Sequence, residues 1–182
     1  MELIEKVLNF WFGHGGDEYR DIWFQKDEEF DQAIRDQFGQ DRDVAASGGY
    51  DGMANTPEGA LALVIMLDQF SRNLLRGRGE AFAADPKALV IAKASVARGF
   101  DMKVSPIRRS FFYLPFEHSE DIADQDRGVE LYTALGDENL LKYMVSHRDI
   151  VARFGRFPHR NEVLGRVSTP EELEFLKTFD AF

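Results

Sequence analysis

The fold is decided by residues 56–75, which read TPEGALALVIMLDQFSRNLL. Thr56 before Pro57 predicts a helix start. The threonine hydroxyl can accept a hydrogen bond from a backbone N–H of the first turn that has no other partner, and proline at the first helical position has no N–H that needs one. From residue 60 to residue 67 every side chain is apolar. A helix that is apolar on all faces is buried, so this segment predicts the central helix of the fold.

The same start signal recurs along the chain and predicts an all-α protein. A capping residue precedes proline at Asp85, Ser105 and Thr169, and Asp137 is predicted to cap a further helix. No segment alternates as a strand does, and short connections favour antiparallel helix neighbours. Because no linker divides the chain, residues 1–182 are predicted to form a single helical domain. Eight helices are predicted, at 2–12, 27–46, 57–75, 86–98, 106–113, 116–134, 137–155 and 170–179.

Composition excludes several classes of function. The net charge of -10 repels phosphate backbones, so nucleic acid is not an expected partner. The absence of cysteine excludes disulfides, thiolate zinc sites and cysteine nucleophiles. The N-terminus lacks the features of a signal peptide, and the longest apolar run, residues 60–67, is too short to cross a bilayer. A cytoplasmic location without a membrane partner is therefore expected.

Charged and polar residues interrupt apolar stripes on three of the predicted helices. Asp68 and Arg72 stand four residues apart on the buried face of the central helix, where they can form an ion pair or face a ligand. His118 is predicted to lie on a helical stripe with Leu114 and Ile122. It is interpreted either as a core histidine with satisfied hydrogen bonds or as a general acid/base or anion-binding group.

The third interruption lies at His147 and Arg148 and is followed by an unusual loop. Residues 154–161 read FGRFPHRN, in which a glycine can end the helix and a proline forces extended backbone. The loop is predicted to display Arg156, His159, Arg160 and Asn161. The guanidinium group of arginine can donate two parallel hydrogen bonds to a carboxylate or a phosphate. Two interpretations stay open: a shared polar pocket for an anion, or an internal ion network with the acidic stretch 117–124.

Six stretches together carry a resemblance to a known family. They are VLNFWFG at 7–13, WF at 23–24, LDQFSRN at 67–73, FYLPFEHSED at 112–121, RFGRFPHRN at 153–161 and LGRVST at 164–169. In this combination, and over nearly the whole chain, they resemble the bacterial domain-of-unknown-function 924 family. Ser71 stands where the family pattern has proline. The resemblance implies a tetratricopeptide-like array of antiparallel helices and no established activity.

The resemblance makes the polar residues inside these stretches the candidates for binding a ligand, and it adds Asn73 and Glu120 to those already named. The predicted set is Asp68, Arg72, Asn73, His118, Glu120, Arg148, Arg156, His159, Arg160 and Asn161. The favoured function is a binding module for a small anionic molecule or an acidic peptide, by analogy with other proteins of that fold. The alternative is an enzyme that uses His118 or His147 as acid/base. No cofactor or metal is predicted. Metal centres in helix bundles use two Glu-x-x-His pairs, whereas this sequence has one related pair in the reverse order, His118-x-x-Asp121.

Overall fold

The helices predicted from capping and periodicity are present. The computed structural model describes residues 2–15 and 17–179; over those ranges it contains helices, turns and no strand, so the predicted all-α class is confirmed. Eight helices of seven residues or more run through this part of the chain. They are α1 (Leu3–Phe12), α2 (Glu28–Ser47), α3 (the consecutive segments Pro57–Val64, Ile65–Phe70 and Ser71–Leu74), α4 (Asp85–Ala97), α5 (Pro106–Glu117), α6 (Ile122–Leu135), α7 (Glu138–Phe154) and α8 (Pro170–Leu176).

The chain divides into two compact units, which are described separately. Unit 1 comprises residues 1–76 and 80–115, and unit 2 comprises residues 77–79 and 116–182. The division falls inside α5, between Pro115 and Phe116. That residues 1–182 form a single domain stays a prediction.

The core of unit 1 is built around α3. Every residue from Gly59 to Phe70 is buried, and the helix packs against α1, α2 and α4. Aromatic rings from α1 and α2 close around its C-terminal part: the ring of Phe70 lies 5.6 Å from Trp11 and 5.0 Å from Phe38. Burial of these large rings makes this cluster a major source of stability in the unit.

The middle of α3 is a π-helical segment, Ile65–Phe70, which the sequence did not predict. The wider turn of a π-helix interrupts the regular hydrogen bonds of an α-helix. In this segment two side chains donate to backbone carbonyls. Ser71 Oγ donates to the carbonyl of Leu67 at 2.5 Å, and Arg72 Nη1 donates to the carbonyl of Asp68 at 3.1 Å. The motif residues Ser71 and Arg72 therefore support the backbone of this turn.

Unit 2 is built on the pair α6 and α7, which a two-residue connection joins. Asp137 ends that connection and accepts hydrogen bonds from the amides of Asn139 and Leu140, as predicted. The two helices approach closely at Gly128, where an added Cβ would lie 2.6 Å from Met144 Sδ. After α7 the chain forms a short 3-10 turn, Pro158–Arg160, and then α8.

A helix begins at each of the four proline pairs, as predicted, and a side-chain cap is present at two of them. Thr56 and Thr169 each accept a hydrogen bond from an amide in the first turn of their helix. The capping role predicted for Asp85 is wrong, since the cap position of α4 is Ala84 and the Asp85 carboxylate binds Arg72 instead. The hydroxyl of Ser105 donates to Asp17.

The predicted break before residue 116 is also wrong. Helix α5 continues through Pro115 to Glu117, and the chain turns at residues 118–121 before Asp121 caps α6. Proline inside a helix removes one hydrogen bond, but its fixed φ suits helical backbone. Residues 111–117 are all buried, so packing compensates for that loss. His118 consequently lies in the connection and not on a helical stripe.

None of the helices within residues 2–15 and 17–179 has both the length and the apolarity that crossing a bilayer requires.

Candidate functional site

The predicted site residues fall into both units. Asp68, Arg72 and Asn73 belong to unit 1, whereas the predicted residues from His118 onward belong to unit 2. That the two sets meet in one site stays a prediction, and each set is described by itself.

The unit 1 residues form ion pairs and hydrogen bonds with protein groups. Asp68 is completely buried, and its Oδ1 lies 3.1 Å from Arg72 Nη1, which is the predicted i, i+4 pair. Arg72 also donates to both carboxylate oxygens of Asp85, at 2.8 and 3.0 Å. Asn73 Nδ2 donates to Asp31 at 2.7 Å. These contacts tie α3 to α4 and α2.

Arg156, in the loop after α7, is bound by a buried carboxylate. Its Nε and Nη2 donate to the two carboxylate oxygens of Glu172, at 2.6 and 2.8 Å. Glu172 is 2% exposed, and it also accepts hydrogen bonds from the amide of Thr169 and from Asn161 Nδ2. The hydrogen bond from Arg156 is the main reason that the pKa of Glu172 is lowered to about 2. The loop is thus fastened to the start of α8.

A second ion pair fastens the same loop to the connection before α6. Arg166 donates to both carboxylate oxygens of Glu120, at 2.7 and 3.0 Å, and its Nε donates to Asn161 Oδ1. The amide of Phe157 donates to Glu120 as well, at 2.7 Å. Burial alone would raise the pKa of Glu120, but these hydrogen bonds outweigh it and lower the pKa. An ion pair with the 117–124 stretch therefore exists; Arg166 forms it, whereas Arg156 binds Glu172.

Arg148 lies on the surface of unit 2. Its Nε donates to Asp126 at 3.0 Å, its Nη1 lies 3.5 Å from Asp149, and 39% of its side chain is exposed. The two residues that interrupt the apolar stripe therefore differ in environment: His147 is buried, whereas Arg148 forms an ion pair on the surface.

Three histidines and an arginine do converge in unit 2. The ring of Phe157 is the neighbour of three of these side chains: it lies 5.6 Å from His147, 5.5 Å from His159 and 4.4 Å from the guanidinium of Arg160. The rings of His118 and His147 are 6.3 Å apart. We call His118, His147, His159 and Arg160 the histidine cluster.

The members of the histidine cluster differ in exposure. His147 and Arg160 are each 6% exposed, whereas His118 and His159 are only partly buried. His147 Nδ1 lies 2.8 Å from the carbonyl of Tyr143 and 3.3 Å from Glu117 Oε1, so a proton on Nδ1 is directed at both oxygens. The cluster thus has two buried members and two partly exposed members.

Burial and neighbouring positive charge keep two of these imidazoles neutral. Desolvation is the main cause that lowers the pKa of His147 to about 3, and the charges of His118 and Arg160 add to it. Desolvation followed by the charge of Arg160 lowers the pKa of His159 to about 4. Both side chains therefore offer neutral imidazole groups at pH 7. Within the described residues, no group of three or more His, Cys, Asp or Glu side chains could hold a metal ion.

The sequence of the chain identifies its family. Residues 7–180 match the sequence profile of the family described as bacterial protein of unknown function (DUF924). The chain belongs to this family. A solved structure of a protein of unknown function from Agrobacterium tumefaciens is similar to this DUF924 chain, with 44% sequence identity and a TM-score of 0.90; the match covers 97% of this chain and 98% of that one. The comparison with curated proteins gave no match.

Four residues outside the predicted set contact the candidate site of this DUF924 member. Arg166 and Glu172 bind the loop after α7, Glu117 lies beside His147, and Gln125 donates to the carbonyls on both sides of His118. Glu172 was detectable, since Thr169 followed three residues later by a glutamate is the signature of a capping box, and that box is present. Glu117 and Gln125 gave no such signal, because a single sequence does not show which carbonyl or imidazole a buried side chain meets.

The low pKa of His147 predicts a pH dependence of folding. Because the folded pKa of about 3 is below the ordinary value of 6.5, the unfolded chain takes up the proton first. This contribution to stability is complete above pH 6.5 and is lost as the pH falls from 6.5 towards 3, by up to about 1.4 kcal/mol per pH unit. Urea unfolding of wild type and His147→Gln between pH 4.5 and 7.5 should give a flatter profile for the variant.

The exposed His14 provides the control for this experiment. His14→Gln should reproduce the wild-type profile. A His147→Gln profile as steep as that of wild type would contradict the assignment of a buried neutral imidazole.

Proposed function

We propose that this DUF924 member is a binding protein for a small anionic molecule and that the histidine cluster of unit 2 is its binding site. The observation that carries the proposal is the convergence of His147, His159 and Arg160 around the ring of Phe157, with His118 next to His147. Imidazole N–H groups and a guanidinium are donors that bind carboxylate and phosphate oxygens. The tetratricopeptide-like fold and a cytoplasmic location, both expected from the sequence, accompany this proposal.

The electrostatics of the cluster support an anion. Arg160 lowers the pKa of both His147 and His159, in each case after desolvation, so its positive charge acts on both imidazoles. A bound anion would reverse this effect and favour the protonated imidazoles. The partly buried side chains of His118 and His159 are the ones that a ligand would touch first.

The arrangement of the other arginines supports a small ligand over an acidic peptide. Arg148, Arg156 and Arg166 each donate to a carboxylate of the protein itself. An acidic peptide would have to compete with all three pairs, whereas a small anion needs only the histidine cluster. Arg156 and Arg166 then serve the site indirectly, by holding the loop that carries His159 and Arg160.

Catalysis by His147 is poorly supported. A general acid or base works best when its pKa is near the working pH, and the pKa of His147 is about 3. An enzyme that uses a histidine on a small anionic substrate would therefore have to rely on His118, which is more exposed and lies in the connection before α6.

The proposal is tested by thermal unfolding in the presence of inorganic phosphate, pyrophosphate and citrate, each titrated at constant ionic strength. A ligand at a hundred times its Kd stabilises the folded protein by about 2.7 kcal/mol. We expect stabilisation of wild type and of His14→Asn, and a loss of most of it in His118→Asn and His159→Asn. Equal stabilisation of all four proteins would place the anion elsewhere, and no stabilisation by any carboxylate or phosphate would refute the proposed function.

A further inference from the structure

His118, a member of the histidine cluster, lies in the connection at residues 118–121. Side chains from other parts of unit 2 bind the backbone of this connection. The end of a helix leaves carbonyl groups without partners, and buried carbonyls need a hydrogen bond. Helix α5 ends at Glu117, directly before His118. The side chains that satisfy these carbonyls therefore determine where His118 lies.

Gln125 binds three of these carbonyls, which share the two hydrogens of its side-chain amide. It lies on α6, is 0% exposed, and its Nε2 donates to the carbonyls of Phe116, Glu117 and Ser119, at 3.3, 2.7 and 2.6 Å. The carbonyl of His118 itself accepts from Arg160 Nη1 at 3.1 Å. Four consecutive carbonyls are thus bound by two buried side chains, one from α6 and one from the loop after α7.

The carboxamide of Gln125 has only one acceptable orientation. A flip would place its oxygen against three carbonyl oxygens, which have no hydrogen to donate. In the orientation observed, Oε1 is buried and accepts no hydrogen bond from the described residues. The role of the side chain therefore rests on its donor group, and that group acts on the residues on both sides of His118.

We propose that Gln125 is a positioning residue for ligand binding: its buried carboxamide holds the backbone on both sides of His118, so that the imidazole stands beside His147 in the histidine cluster. This inference rests on the proposed function for its consequence in binding. The position of His118 can be measured without any ligand, which separates the two proposals.

The test uses the full chain with Gln125→Met, which keeps the length of the side chain and removes its donors. The imidazole C2–H signals of the four histidines are followed by NMR through a pH titration. We expect the His118 signal to shift and its titration midpoint to move by about half a pH unit or more, while exposed His14 stays unchanged. Binding of inorganic phosphate, measured by calorimetry, should weaken about tenfold. Gln32→Met, at an exposed position on α2, is the matched control.

Gln125→Asn is the second variant, because it retracts the donor group by one methylene and disturbs packing differently. A folded variant with an unmoved His118 signal would overturn the inference. Loss of the fold in both variants would also overturn it, since Gln125 would then be needed for the core and not for the position of His118. A moved His118 signal in a protein whose wild type fails to bind phosphate would support Gln125 as the residue that positions His118 and refute only the anion ligand.

Discussion

Replacement of Glu172 with alanine is expected to lower the free energy of unfolding by about 3 kcal/mol. The carboxylate accepts both guanidinium hydrogen bonds of Arg156 and is also part of the capping box of α8. Removing one partner of a buried hydrogen-bonded pair leaves the other groups unsatisfied at about 1–3 kcal/mol, and loss of a helix cap costs about 1 kcal/mol. The measurement is equilibrium unfolding in urea, monitored by circular dichroism.

Glu171 provides a control at the adjacent position. It pairs with Arg153, but its side chain is 63% exposed, and exposed ion pairs contribute little. Glu171→Ala should therefore change the free energy of unfolding by less than about 1 kcal/mol. If the two variants were equally stable, the buried network around Arg156 would not hold the loop, and the arginine would again be a candidate for ligand binding.

The second large effect is expected at Gly59, in the first turn of α3. A Cβ at this position would overlap the carbonyl oxygen of Met53 and would lie 2.9 Å from Thr56 Oγ1. The obstacle is backbone, which no rotamer change can move aside. Gly59→Ala should therefore destabilise unit 1 by about 3 kcal/mol, at the upper end of the usual cost of overpacking. Thermal or urea unfolding measures the loss.

Gly39 is the matched glycine for this experiment. It lies inside α2, and an added Cβ would meet nothing within 4 Å. Because alanine favours helix over glycine, Gly39→Ala should stabilise the protein by about 0.5–1 kcal/mol. Opposite signs for the two substitutions are the expected result. A Gly59→Ala protein as stable as wild type would show that the turn at residues 51–55 can move away from α3.

Much of the fold could be predicted because its signals are local. Thr56, Asp137 and Thr169 each fix a helix start through hydrogen bonds within three residues, and the apolar run of α3 identifies its own burial. The failures occur where a distant partner decides. Aspartate is a residue type that often caps helices, yet the carboxylate of Asp85 binds Arg72, which lies 13 residues away in the sequence. Helix α5 passes through Pro115 since burial of its neighbours outweighs the lost hydrogen bond.

The candidate site could be proposed from residue types, but its contacts could not be predicted. An exposed arginine and an arginine bound to a buried carboxylate look the same in a sequence, so Arg156 and Arg148 could not be told apart from Arg160. The histidines are a better case: the prediction that a polar residue in an apolar stripe is buried holds for His147. His118 was placed on the wrong element, and yet it lies next to His147 because the connection and α7 are neighbours in unit 2.

The loop between α7 and α8 has a consequence for how the protein meets proteases. Arg156, Arg160 and Arg166 would each be a cleavage site for trypsin if the segment were a mobile surface loop. Cleavage requires the backbone to open locally, and here opening would break the pairs with Glu172 and Glu120 and withdraw Phe157 from its buried position. Arg156 and Arg166, which mark the segment for digestion in an unfolded chain, thus protect it in the folded one through their ion pairs.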